Sequence, residues 1–367
     1  MQTRRASFPL PLLRWTALAA TILSSACGGS QATAASTTPA AEPPPSVPDE
    51  PLQLVPANAT QLLRIDVAQL RGWSEYPRLS PLVGAADCQD GPKLLELLGR
   101  VDRIAIAGLP REAAGPDGLI VAHGEIDDEL KQQVLDAMAG SDAAPRTEPK
   151  RSTIGRFEVL SDGRAAVAVL DGKVLVIGGP AAVEAALGLA AAEPPGAGSI
   201  LATERVEALG LTEHAVGGFV MPSSQSAREI KRTANRFGGP KLGEALADAT
   251  TGFRLQLSEG VRVEVRSELA SQQLAGDLMG RIQQMAAQAT MFLRMFRLPP
   301  LQERLDVSID DRTLVVVLEL PPNEVARVSA LAETTFKPPA CPDKPAAKIA
   351  APAAPAAPPP GGGGGAP

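Results

Sequence analysis

Two histidines occur in the 367-residue sequence, and one of them, His123, stands two places before Glu125. On a strand that spacing puts both side chains on one face, where a His-x-Glu pair could help to bind zinc and activate a water. Such a centre needs further ligands, commonly from a Pro-Cys-x-x-Cys, and no Cys-x-x-Cys occurs. His123 and Glu125 therefore read as an ordinary, partly exposed pair. His214, beside Glu213 in a connection before a strand, reads as a solvated loop residue with no second ligand near it in sequence. A serine nucleophile would need a Gly-x-Ser-x-Gly elbow or a Ser-x-x-Lys on a helix, and the body of the chain has neither. Ser223 and Ser224 precede a predicted helix and read as its N-cap. Asp127-Asp128 and Asp310-Asp311 fall at turns or helix starts, where carboxylates satisfy backbone N–H groups, and they lack calcium-loop spacing. A phosphate-binding Gly-x-x-x-x-Gly-Lys-Ser/Thr is absent. The sequence thus predicts no catalytic, metal or cofactor site.

The three cysteines stand at 27, 88 and 341. Cys27 follows Arg4, Arg5 and Arg14 and the apolar run Trp15 to Leu23, which is too short for a permanent span of about 20 residues. That order of parts is an export signal. Leu23-Ser24-Ser25-Ala26-Cys27-Gly28-Gly29 resembles the lipobox of bacterial lipoproteins, with Ser24 standing where Leu or Val is usual. The resemblance implies cleavage after Ala26, acylation of Cys27 and, with Gly28 in place of an Asp, retention at the outer membrane of a Gram-negative envelope. An ordinary secretory signal that leaves Cys27 free is the competing reading. In an oxidising periplasm Cys88 and Cys341 would be free to pair, and a disulfide between them is the expectation, two unpaired thiols the alternative.

Removal of residues 1–26 takes away three arginines and no acids, so the formal net charge moves from −6 to −9. An acidic chain lacks the clustered Lys and Arg that nucleic acid requires. Attachment to a membrane would then come from the acyl chains, at about 0.8 kcal/mol per buried CH₂.

The elements that would carry any site follow a duplicated plan. Residues 1–26 read as signal peptide and 27–50 as a disordered Ala/Thr/Pro tether; 51–195 and 196–336 read as two similar halves, and 337–367 as a disordered Pro/Ala/Gly tail. The first half predicts a strand at Gln61 to Val67, short helices near 76–83 and 92–99, and strands at Arg103 to Leu109 and Gly118 to Glu125. A helix capped by Asp127 follows, carrying Leu130, Val134 and Leu135 on one face. Strands at Ile154 to Leu160, Ala165 to Leu170 and Val174 to Ile177 are joined by Asp162-Gly163 and Asp171-Gly172, and Pro180 opens a helix. The second half repeats the order: strand Val216 to Met221, helices from Ser223 and Lys241, strands Thr250 to Leu257 and Val261 to Glu268, a long helix, further strands and a last helix. A local echo aligns Leu170 through Ile177 with Ile309 through Val316, which implies an internal duplication with its boundary near Pro194-Pro195-Gly196. Hairpins flanked by helices predict an α+β fold, a mainly antiparallel sheet with helices packed on one face. The body also resembles uncharacterised exported bacterial proteins that combine an early Pro-Ala segment with a Leu-Val-x-Gly-x-x-x-Ala-Val helix start, a likeness that brings no chemistry with it.

The long helix, Ser271 to Leu298, carries Leu274, Leu278, Ile282, Met285, Ala289, Phe292 and Phe296 at spacings of three and four, with Met279, Met291 and Met295 widening the stripe. Such a face suits either core packing or an adaptable groove for an apolar ligand, formed by Leu278, Met279, Ile282, Met285, Phe292, Met295 and Phe296. Aromatic residues make up 3% of the chain, too few to furnish a stacking platform for bases or sugars. Three functions remain: first, a membrane-anchored envelope lipoprotein with a non-catalytic structural or interaction body and an unknown envelope partner; second, a carrier or chaperone for a lipid or other apolar molecule; third, an enzyme whose site is assembled from scattered acids and serines that leave no local spacing to read.

Overall fold

A computed structural model describes residues 47–78, 80, 98–110, 118–127, 129–130, 150–222, 224, 227, 230–232, 235, 240–295 and 300–335. In the first half, β1 (Gln61–Asp66) runs directly into the short helix α1 (Val67–Gly72), because the Asp66 carboxylate accepts the Gln69 N–H at 2.8 Å and starts the turn. β2 (Val101–Gly108) and β3 (Gly118–Gly124) follow. Asp127 then accepts the Leu130 N–H at 2.8 Å, the cap that the sequence predicts; most of the helix beyond it lies outside the described residues. β4 (Lys150–Ile154), β5 (Phe157–Ser161), β6 (Ala166–Leu170) and β7 (Val174–Gly178) form a meander that ends in α2 (Pro180–Ala190), with Pro180 at the helix start, where it loses no hydrogen bond. The second half comprises α3 (Glu204–Leu209), β8 (Val216–Val220), α4 (Pro240–Ala247), β9 (Thr250–Leu257), β10 (Val261–Glu268), α5 (Gln272–Met295), β11 (Leu305–Asp310), β12 (Thr313–Leu320) and α6 (Pro322–Thr335).

Among the described residues the twelve strands form one sheet in the order β11-β12-β10-β9-β8-β1-β2-β3-β7-β6-β5-β4. Every pairing is antiparallel. The α+β class with an antiparallel sheet is therefore as the sequence predicts. Outward from the centre, β8-β9-β10-β12-β11 repeats β1-β2-β3-β7-β6, and β5 and β4 are an addition at the first half's edge. The duplication thus appears in the topology, with β1 and β8 joined at the seam from Gln61↔Val220 to Ile65↔Val216.

The echo between the halves holds in register along β7 and β12, where Leu175 and Leu314 each pack into a core. It slips by one residue along β6 and β11. Leu170 pairs with Val174 across a three-residue turn, whereas Asp310 pairs with Thr313 across two residues. The extra residue is absorbed where Asp171 (φ 49°) and Gly172 (φ 68°) both take the left-handed conformation.

Two further departures have physical causes. The strand predicted over Ile154 to Leu160 is a hairpin, β4 and β5, folded at Gly155 with φ 58°. β4 is an edge strand whose Lys150, Arg151, Ser152 and Thr153 are exposed, so no apolar alternation marks it. The body also begins earlier than residue 51: Val47 is buried in the main core, and Asp49 and Glu50 reach His123 and Arg64 of the sheet.

Alternate residues of the strands divide between two faces. On one, Ala105, Ala107, Leu119 and Val121 join Leu52 and Leu54, Val183 and Leu187 of α2 and Leu209 of α3. On the other, Ile104, Ala122, Leu175 and Ile177 join Val67 of α1 and the capped residue Leu130. The row Ile106, Leu63, Gly218, Phe253, Val265, Val316 runs straight across the sheet through successive pairs. It places the α5 core, Ala275 and Leu278 over Leu314 with Val307, Ile309 and Val316, on the same face as α1. Helical cover on that face spans both halves. The first half is covered on both faces, because runs such as Val174-Leu175-Val176-Ile177 are apolar on both sides and bury both.

Candidate functional site

Cys27, Cys88, Cys341 and Phe296 lie outside the described residues. The rest of the predicted apolar stripe rides on α5, whose first turn is capped by Ser271 Oγ accepting the Leu274 N–H at 3.2 Å. Leu278 is buried, and Met279 and Ile282 pack beside it against the sheet. Met285 is 37% exposed, while Phe292 and Met295 fall within the helix's last turn and a half of backbone. The first part of the stripe therefore works as core. Leu278→Ala is expected to lower stability by about 2–5 kcal/mol through lost burial and a residual cavity, read as a shift in the urea unfolding midpoint.

His123 and Glu125 do not converge. β3 ends at Gly124, the Glu125 N–H donates to the Arg100 carbonyl at 3.0 Å, and the Glu125 side chain is exposed. His123 is half-buried, with Nε2 3.6 Å from Asp49 Oδ1. No group of three or more His, Cys, Asp or Glu that could hold a metal ion occurs among the described residues. Ser224 caps a helix turn, its Oγ accepting the Ala227 N–H at 3.1 Å. Asp127 both caps and pairs with Arg100 at 2.9 Å. Asp311 sits in the β11–β12 turn at φ 52°.

The most concentrated chemistry lies at the seam, where the sequence reading placed none. Arg64, 1% exposed, sits in the middle of β1. Its Nε and Nη2 donate to the two carboxylate oxygens of Glu50 at 3.1 and 3.2 Å, and Nη1 donates to the His214 carbonyl at 3.0 Å. Asp66 lies 3.5 Å from the same guanidinium, and Arg103 stands 3.8 Å from Asp66 and 3.9 Å from Glu50. Pairing carries the row on from Arg64 through Gly217 to Arg254 and Glu264. Glu264 is 3% exposed and accepts from Arg254 at 2.7 Å and Arg266 at 2.5 Å, with Arg262 at 3.8 Å. Burial pushes the Glu264 carboxyl up, but the hydrogen bonds from Arg254 and Arg266 outweigh it and hold it below the usual carboxylate value.

Between the two arginines lies His214, 9% exposed, with neither ring nitrogen hydrogen-bonded among the described residues. Burial lowers its pKa from 6.5, and the positive charges of Arg254 and Arg64 lower it further against the opposing Glu213 and Glu264. A loop histidine in sequence is thus a buried one in space. The signals available for this cluster were a charge inside the apolar run Leu62-Leu63-Arg64-Ile65 and the alternating Arg262, Glu264, Arg266.

At the far end of the second half a cleft of about 580 Å³ opens beside the β9–β10 turn, lined by Gln256, Ser258, Arg262, Arg304, Asp306 and Glu319. Its cations are engaged. Arg262 pairs with Glu319, and Arg304 Nε donates to Glu324 at 3.0 Å. Among the described residues no helix is long and apolar enough to cross a membrane.

The chain matches no family model and no curated protein. Among solved structures it is similar to TP0453 in three crystal forms. Form III gives a TM-score of 0.43 at 10% identity, covering 77% of this chain and 98% of that one. Form I gives 0.42 at 12% identity, covering 78% and 98%, and form IV gives 0.43 at 10% identity, covering 78% and 97%.

Proposed function

We propose that the protein is an envelope lipoprotein, acylated on Cys27 and held at the outer membrane, whose α+β body binds an envelope partner rather than catalysing a reaction. The observation that carries this reading is Leu23-Ser24-Ser25-Ala26-Cys27 placed directly after a basic end and a short apolar run. The spacing to the body agrees with it. Val47, the first buried residue among those described, comes 20 residues after Cys27. The Ala/Thr/Pro-rich composition between the two predicts a tether with an end-to-end distance of about 25 Å. The body would stand clear of the headgroups, which suits an acidic protein whose charge gives no attraction to an anionic surface.

A non-catalytic body is supported by the uses found for the residues that a catalyst would need. Ser224, Ser271 and Asp127 are helix caps, Glu50 neutralises the buried Arg64, and the buried Glu264 is itself neutralised by Arg254 and Arg266. The packing of Leu278, Met279 and Ile282 against the sheet favours a protein partner over an apolar cargo.

The test is mass spectrometry of the N-terminal peptide, with cell fractionation, for the wild type and Cys27→Ala. The expected result is an acylated Cys27 in the membrane fraction, and a variant that loses the acyl mass and becomes soluble. An unmodified wild-type peptide in the soluble fraction would overturn the assignment.

A further inference from the structure

We propose that His214 is an acid-sensitive latch on the seam between the two halves: neutral, it lets residues 210–215 lie against β1 and β9, and protonated, it forces a third cation between Arg64 and Arg254 and loosens that connection. The proposal is independent of how the protein is anchored.

The geometry is that of a closed pocket of charge. His214 belongs to the short connection that brings the chain from α3 into β8, the second strand of the seam. Its carbonyl accepts from Arg64, and the next residue, Ala215, accepts the Asp66 N–H at 2.7 Å, so the connection is tied to β1 twice in succession. The ring faces the other way along the row. A Cβ placed on Gly210 would stand 3.4 Å from His214 Nε2, 3.5 Å from Glu213 Oε2 and 3.8 Å from Arg254 Nη1, so the imidazole, that carboxylate and that guanidinium converge on one spot. The charges that act on the ring are Arg64 from β1, Arg254 from β9, Glu264 from β10 and Glu213 from its own connection. Glu264 is already clasped by Arg254 and Arg266, and Glu213 is exposed and shared with water. A proton on the ring therefore meets two cations and, among the described residues, no dedicated anion and no hydrogen-bond partner for either ring nitrogen.

The direction of the response follows from linkage. The folded chain takes up this proton at a lower pH than the unfolded chain, whose histidine has a pKa of about 6.5. The stability contributed by neutral His214 is present above pH 6.5 and is lost as the pH falls from there toward the folded value.

The chain has two histidines, so two imidazole resonances report the whole titration, and His123→Gln assigns them. In the full-length protein the His214 resonance is expected to titrate below the ordinary value. Protection factors of the amides at 214–218 should fall severalfold between pH 7 and 5, in the wild type and in His123→Gln but not in His214→Gln. The proposal is overturned if His214 titrates at or above the ordinary value, or if His214→Gln keeps the wild-type loss of protection. Should His214→Gln fail to fold, the titration and exchange of His123→Gln decide the question alone.

Discussion

Arg64→Met is expected to destabilise the protein by about 3–5 kcal/mol, because it removes one side of a buried ion pair and leaves the other side behind. Methionine keeps the apolar stem of the arginine, so little packing is lost. What is lost is the bidentate grip on Glu50, the donor to the His214 carbonyl and the counter-charge to Asp66. Arg103, 3.9 Å from Glu50 and 3.8 Å from Asp66, still neutralises part of these two carboxylates, which sets the low end of the range. Adding Glu50→Met to Arg64→Met removes the stranded carboxylate as well, so the double variant should lie closer to the wild type than the single one does. Urea unfolding of the four proteins closes the double-mutant cycle. A single variant as stable as the wild type would mean that Arg64 is not held as described.

The fold was legible in sequence where burial leaves a period, and illegible where it does not. β9 and β10 were bounded correctly at Thr250 to Leu257 and Val261 to Glu268, since their alternation and the intervening Glu259-Gly260 state both the strands and the turn. The helix starts at Asp127, Pro180 and Ser271 were readable from the cap chemistry. The edge strand β4 is not legible, apart from its last residue Ile154, because exposed Lys150 and Arg151 give no apolar pattern. α3, six residues long, is under two turns and too short for its apolar spacing to stand out in sequence. The seam cluster was harder still. Arg64 and the carbonyl that it grips are 150 residues apart, and strand order across a duplication is a property of the whole sheet. Glu50 was assigned to the tether, as the Pro-rich sequence before it carries no sign that its last residues return to the sheet. A lone charge in an apolar strand names one partner of a buried pair and leaves the other unspecified.

The seam itself offers the second large effect, and it turns on a backbone atom rather than a charge. Gly218, at the middle of β8, is opposite Leu63 on one side and Phe253 on the other. A Cβ built on it would overlap the Leu62 carbonyl oxygen and lie 3.1 Å from Phe253 Cε1. A flexible side chain could move away from such a contact, but a carbonyl inside a five-pair ladder cannot shift without opening the pairs on either side of it. Gly218→Ala is therefore expected to cost about 3 kcal/mol, the upper end of what overpacking a core costs, and Gly218→Val more. Gly276 in α5 provides the contrast. It lies inside a regular helix with open space where its Cβ would stand, so Gly276→Ala should raise stability by about 0.5–1 kcal/mol. Unfolding midpoints for the two alanine variants are thus expected to move in opposite directions. If Gly218→Ala moved with Gly276→Ala, the close approach of β1 and β8 would not be what joins the halves. If the two part as expected, Gly218 in Val216-Gly217-Gly218-Phe219 is the sequence mark of the seam, present because the backbone of β1 there leaves no room for a side chain, while a Cβ on Gly217 would meet the Leu211 side chain at 2.8 Å.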